Sequence, residues 1–195
     1  IRFPFTKIIV KNTVFEHFCG GETIEECEKT IQELAKFGIG AILDYSVEGE
    51  KNEKSFDETA EEILHTIEKA DHNPNIPFSV FKVTGIARFV LLEKIQAKIP
   101  LSEAEQAEWQ RVEARFDKIC KKAYDLDVNL LVDGEETWIQ DTIDELTYKA
   151  MERYNKQRAV IYNTYQLYRT DMLSNLKKAF AKAQEKGYFL GAKLV

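Results

Sequence analysis

Five polar residues stand where an apolar run gives way to a loop: Asp44, Lys82, Asp133, Asn163 and Lys193. A polar side chain at the end of a buried strand is costly unless something pairs with it. In α/β folds that same end is where ligands bind. Lys82, flanked by Phe81 and Val83, is the most demanding of the five: an inward lysine must find an anion, lose its proton or react. It could pair with Asp133, bind a substrate carboxylate, or form a Schiff base in the manner of an aldolase. Asp133, in turn, can orient a lysine as readily as take part in catalysis. Asn163 offers both a donor and an acceptor, which suits the edge of a heteroaromatic ring, and satisfaction within the core accounts for it equally well. Asp44, followed by Tyr45, Ser46 and Glu48, reads first as the start of a solvated loop. Glu135 and Glu136 could act as acid and base, but complementing the N-terminus of the following helix is the simpler role. Tyr162, Tyr165 and Tyr168 read as packing. Gly20-Gly21 before a helix is too weak a signal for a phosphate cradle.

The elements that must position these residues alternate in type. The runs Ile39–Tyr45, Phe78–Gly85, Val128–Asp133, Ala159–Tyr165 and Tyr188–Val195 are apolar, without the polar alternation of half-exposed strands, as expected of parallel strands covered on both faces. Between them lie amphipathic stretches with capping-box spacing at Thr23/Glu26, Ser55/Glu58 and Ser102/Glu105. The first helix stops at Gly38, the stretch Thr142–Tyr154 reads as another, and a last one over Asp171–Lys186 ends at Gly187. Phe89–Ile95 is helical, and Asn73–Pro77 is a turn. Residues 1–21 are the least periodic; Ile8-Ile9-Val10 is a short apolar run and Glu48–Lys54 a charged loop. Strands about 30 to 50 residues apart, separated by such helices, specify βα units and a parallel sheet. Five strands would make an open doubly wound sheet or most of a (β/α)8 barrel. The usual barrel needs about 250 residues, and the chain stops at a strand end. The expectation is therefore a TIM-type barrel cut off after its fifth strand, a single partial catalytic domain over residues 1–195 with a helical insertion at about 94–126.

Composition narrows the function. The chain has 195 residues, 44% hydrophobic and 31% charged, with a net charge of −6, which argues against a nucleic-acid partner held by bulk electrostatics. No apolar run approaches a membrane span, and no basic-then-apolar leader opens the sequence. The three cysteines, Cys19, Cys27 and Cys120, lack CxxC spacing, and His17, His65 and His72 lack metal-ligand spacing, so neither a disulfide framework nor a metal site is expected. A reducing compartment fits better. Ile1 is not an initiator residue, so the sequence is expected to begin inside a longer product. Read from the residues alone, the chain is a parallel α/β enzyme with Lys and Asp on one strand-end face, and no reaction is specified.

Longer phrases carry a resemblance. Phe18-Cys19-Gly20-Gly21-Glu22-Thr23-Ile24, then Gly40-Ala41-Ile42-Leu43-Asp44-Tyr45-Ser46-Val47-Glu48, Phe81-Lys82-Val83-Thr84-Gly85, Val132-Asp133-Gly134-Glu135-Glu136-Thr137, Tyr162-Asn163-Thr164-Tyr165-Gln166 and Gly191-Ala192-Lys193-Leu194-Val195 occur in order over essentially the whole chain. Together they resemble proline dehydrogenase (proline oxidase), most closely its monofunctional, eukaryote-like branch. The resemblance implies a distorted (β/α)8 barrel with FAD at the C-terminal strand ends. It implies hydride removal from L-proline to give Δ1-pyrroline-5-carboxylate, and electron transfer to a membrane quinone.

Residue by residue, the resemblance makes Lys82 the strand-two lysine that helps hold the proline carboxylate, and Asp133 the strand-three active-site aspartate. It makes Asn163 the strand-four residue that hydrogen-bonds the isoalloxazine. Lys193 falls where many members carry a flavin-contacting arginine, so the cation is kept and the forked donor geometry lost. Val195 falls at a backbone contact to the ring. Further family residues that grip FAD, and a paired arginine for the substrate carboxylate, belong beyond Val195. This implies weak or no FAD binding by these residues alone. The resemblance also implies a cytoplasmic or peripheral inner-membrane location, mitochondrial in a eukaryote. A Schiff-base, aldolase-like barrel using Lys82 and a non-catalytic barrel fragment remain the alternative readings.

Overall fold

The computed structural model describes residues 19–45 and 52–195, together with Val10, Thr13 and Phe15. Ile8, Ile9 and most of the charged loop from Glu48 lie outside the described residues. The elements follow in the order α1 (Ile24–Ala35), β1 (Ile42–Asp44), α2 (Glu53–Ala70), β2 (Phe78–Phe81), a 3-10 turn (Val83–Gly85), α3 (Phe89–Gln96), α4 (Glu103–Asp125), β3 (Asn129–Val132), α5 (Thr137–Tyr154), β4 (Ile161–Tyr165), α6 (Met172–Lys186) and β5 (Ala192–Leu194). Among the described residues no helix is long and apolar enough to cross a membrane.

The strands pair in parallel in the order β1-β2-β3-β4-β5. A doubly wound sheet reverses its strand order at a switch point; here each strand is laid beside the last. Right-handed crossovers repeated in one direction place the helices on one face of the sheet, the arrangement of a barrel sector. That outer face holds the core. Leu43, Phe81, Leu130, Val132 and Ile161 pack there with Ala60, Ile63 and Ile67 of α2, Phe116 and Ile119 of α4, and Ile139, Ile143 and Met151 of α5. Phe81 and Phe116 lie with ring centroids 5.5 Å apart. Ser79, also on the outer face, is bonded to Thr66 of α2 across 2.9 Å.

Local chemistry sets the ends of the elements, and in three places it departs from the sequence expectation. Thr23 and Ser102 cap α1 and α4 as their spacing predicts, Ser102 with a complete capping box to Glu105. Ser55, however, does not cap α2: the helix begins at Glu53, and Asn52 accepts the Ser55 N–H at 3.0 Å. The Asn-x-x-Ser frame does the same work three residues upstream, and Glu53 and Lys54 are good helix formers. Helix α5 starts at Thr137 instead of Thr142, which brings Ile139 into its core stripe. Strand β2 ends at Phe81, short of Thr84, because the chain turns into the 3-10 segment. Gly187, at φ 65°, closes α6 in the left-handed conformation. Gly191 is required by close approach: a Cβ there would lie 2.2 Å from the Ile161 carbonyl oxygen.

Candidate active site

The pleat decides which side chains meet. Ser79 and Phe81 face the helices, so Phe78, Val80 and the still-extended Lys82 (φ −102°, ψ 137°) belong to the opposite, inner face. Leu130 and Val132 pack outward, which puts Asp133 inward, beside Lys82, with its N–H donating to the Phe81 carbonyl at 2.9 Å. Tyr162 meets Phe78 edge-on across the inner face, ring centroids 5.7 Å apart. Lys193 pairs in register with Thr164. It reaches back over β4 to Asp133, its Nζ donating to Oδ1 at 2.6 Å. The structure thus gathers Lys82, Asp133 and Lys193 at the C-terminal ends of β2, β3 and β5.

Asn163 is placed elsewhere. It is paired in register with Val132 and shares the outward face with Ile161 and Tyr165, fully buried. Its Nδ2 donates to Asp144 Oδ1 of α5 at 2.9 Å, while its Oδ1 is enclosed with no donor. Gln140 Nε2 donates to the same Asp144 oxygen at 2.8 Å, and the Tyr148 and Tyr165 hydroxyls meet at 3.2 Å. Burial pushes the Asp144 carboxyl above its usual range against these two donors, and pushes the Tyr148 hydroxyl up to about 12. Val195 uses its N–H on the Tyr165 carbonyl (3.0 Å), and its own carbonyl accepts from Leu167 N–H (2.8 Å). A carbonyl retains a second lone pair, so a backbone contact from Val195 would run through that oxygen. Asp44 ends β1 exposed, at the rim of the same sheet end.

Glu135 does not serve the N-terminus of the following helix. The N-cap of α5 is Glu136, with no side-chain capping bond, and the Glu135 carboxylate turns back to Thr84. One oxygen accepts the Thr84 N–H at 3.1 Å and the other accepts the Thr84 hydroxyl. Desolvation raises its carboxyl, with the two Thr84 donors acting against the shift.

A family model described as proline dehydrogenase matches residues 27–195. The chain belongs to the proline dehydrogenase family. Among curated relatives, it is 34% identical over 178 residues to the carbapenem antibiotics biosynthesis protein CarD of Pectobacterium carotovorum subsp. carotovorum, covering 91% of this chain and 47% of that protein. It is 32% identical over 225 residues to the mitochondrial proline dehydrogenase 1 of Dictyostelium discoideum, covering 95% of this chain and 39% of that protein. The chain therefore spans less than half the length of these relatives. Among solved structures, proline utilization A from Bdellovibrio bacteriovorus inactivated by N-propargylglycine superposes with a TM-score of 0.77. The match, at 15% identity, covers 98% of this chain and 21% of the other and shows a shared fold. The barrel-type α/β architecture expected from the family is thus the one observed, and the strand-end face at Asp133 and Lys193 is this chain's part of the family's barrel.

Proposed function

We propose that this chain supplies part of the active site of an FAD-dependent proline dehydrogenase, which oxidises L-proline to Δ1-pyrroline-5-carboxylate and passes the electrons to a quinone. The observation that carries the reading is the meeting of Lys193 and Asp133 across 2.6 Å at the strand ends, with Lys82 on the same face, in a chain of this family. When bound, FAD would supply the hydride acceptor. The donor set fits such a group. Lys193 is a cation that can face an electron-rich ring, Asp133 holds that cation in place, and the Val195 carbonyl has a lone pair to spare. Asn163, buried on the outer face and bonded to Asp144, is left out of this set. Lys82 would hold the carboxylate of proline, fixing the ring's orientation by a single charge on an otherwise apolar strand end.

The remaining partners and the location belong to the same proposal. Quinones reside in membranes, so a peripheral contact with the inner membrane is part of it, and relatives in Dictyostelium, Arabidopsis and fission yeast are named mitochondrial. We further take residues 1–195 as one partial barrel domain with a helical insertion at about 94–126, the stretch that contains α4. The test is an absorbance scan of the purified full-length protein before and after anaerobic addition of L-proline. A flavin band that bleaches is the expected result. A bound flavin that proline leaves unbleached would overturn the reading, and a borohydride-trapped adduct at Lys82 would replace it with Schiff-base chemistry.

A further inference from the structure

Every polar group of Glu135 is engaged, each by a different part of the chain. Its N–H donates to Gln140 Oε1 of α5 at 2.8 Å, and its carbonyl accepts from Gln166 Nε2, just past β4, at 3.0 Å. Its two carboxylate oxygens take the N–H and the hydroxyl of Thr84, in the turn after β2. Thr84 stands two residues after Lys82, and Glu135 two residues after Asp133. The turn between Lys82 and Ile86 is only three residues long, closed by Gly85 N–H to the Lys82 carbonyl (3.1 Å) and Ile86 N–H to the Val83 carbonyl (3.0 Å). The Thr84 N–H, like the first amides of any helical turn, has no acceptor within the turn itself. Glu135 supplies that acceptor and adds a second bond to the same residue, so the turn can neither rotate nor slide along β3 without breaking both.

We propose that Glu135 is a positioning residue: through Thr84 it sets the orientation of Lys82 relative to Asp133, and so the binding of the substrate carboxylate. The inference rests on the proposed role of Lys82 and deepens it. The two ends of the clasp sit 51 residues apart in sequence. It does not require Glu135 to touch substrate. Both carboxylate oxygens are already engaged by Thr84, and the kinetic test below separates this role from acid–base catalysis.

The test uses the full-length protein with Glu135→Ala, Glu135→Gln and Thr84→Val. In Glu135→Ala the KM for L-proline should rise about tenfold with kcat changed by less than about threefold, the signature of lost ground-state binding. The dissociation constant of a non-oxidisable five-membered-ring carboxylate, read by calorimetry, should rise by the same factor. Glu135→Gln should recover most of the wild-type affinity, because its amide oxygen still accepts the Thr84 N–H and its NH2 can donate to the Thr84 hydroxyl oxygen. Thr84→Val keeps one bond of the clasp and should fall between the two. An unchanged KM and analogue affinity in Glu135→Ala, with only a lower Tm, would reduce Glu135 to a structural residue. Loss of kcat in both Glu135 variants at constant KM would make it an acid or base and overturn the proposal. A wild-type protein that does not oxidise proline would instead sink the functional reading on which this one stands.

Discussion

Lys193 reaches across a whole strand to its partner, and both side chains remain partly open to solvent, 31% for Lys193 and 23% for Asp133. A pair this exposed adds little to folding, about 0 to 1 kcal/mol by the usual measure of such ion pairs. Its cost to function should be larger. In the full-length protein Lys193→Met is expected to shift the denaturation free energy by less than about 1 kcal/mol while weakening FAD binding about tenfold or more, the equivalent of about 1.4 kcal/mol. Lys193→Arg, which restores the fork, should keep the affinity. Fluorescence titration of the apoprotein with FAD checks both, and equal loss of stability and affinity in Lys193→Met would make the lysine a structural cross-link only. The sequence exposed Lys82, Asp133 and Lys193 because a charge ending an apolar run is hard to explain otherwise. Asn163 carries the same signal, yet it lies on the other face. In Ile161-Tyr162-Asn163-Thr164-Tyr165 both faces mix a polar residue with aromatic ones, so no alternation tells which way the amide points. Only the register against Val132 and the donor bond to Asp144 decide it. Glu135 was legible as an acid but not as a clasp, since Thr84 is distant in sequence and reads as part of a strand.

The elements themselves were easier to read than their first residues. Helix α2 was visible from Ala60, Ile63, Leu64 and Ile67, all buried in the core, because burial fixes a period of 3.6. Its start was not, because Asn52-x-x-Ser55 and Ser55-x-x-Glu58 are both credible caps and lie within one turn of each other. The choice has a measurable consequence. Asn52→Ala should destabilise the protein by about 1 kcal/mol, whereas Ser55→Ala, which keeps the backbone N–H that Asn52 binds, should cost no more than a few tenths. Urea denaturation midpoints compare them directly, and an equal or larger cost for Ser55→Ala would return the cap to Ser55. The same ambiguity moved the start of α5. Glu135-Glu136 reads as loop until one sees that Glu135 is bound to Gln140 and Thr84, which frees Thr137 to begin the helix.

For the molecule as a whole, strand number and parallel pairing followed from the spacing of five apolar runs, and the bracing between layers did not, because it is made by long side chains. Arg115 of α4, nearly buried, donates to Asp57 at 2.6 Å, to Glu53 and to the Ile86 carbonyl at 3.3 Å. Arg111 binds Glu53 at 2.8 Å. One cluster thus ties α2, α4 and the segment after β2 together, and it gives stability a defined pH dependence. The Arg111 hydrogen bond, and then Arg115, outweigh desolvation and hold the Glu53 carboxyl at about 2, down from an ordinary 4.5. A lowered carboxyl contributes stability that is complete above its unfolded value and is lost as pH falls toward its folded one. The loss from Glu53 should therefore run from about pH 4.5 down to about 2. Glu135 and Asp144 act in the opposite sense. Burial raises both, so protonation favours the folded state, and their contribution is fullest in acid and is lost as pH rises through their raised values. Glu53 thus gives an acid limb below about pH 4.5, and Glu135 and Asp144 give an opposing limb above their ordinary carboxylate values. Denaturation midpoints across this range should show Glu53→Gln flattening the acid limb and Asp144→Asn flattening the upper one. An acid limb unchanged in Glu53→Gln would mean that the arginines of α4 do not hold that carboxylate in solution.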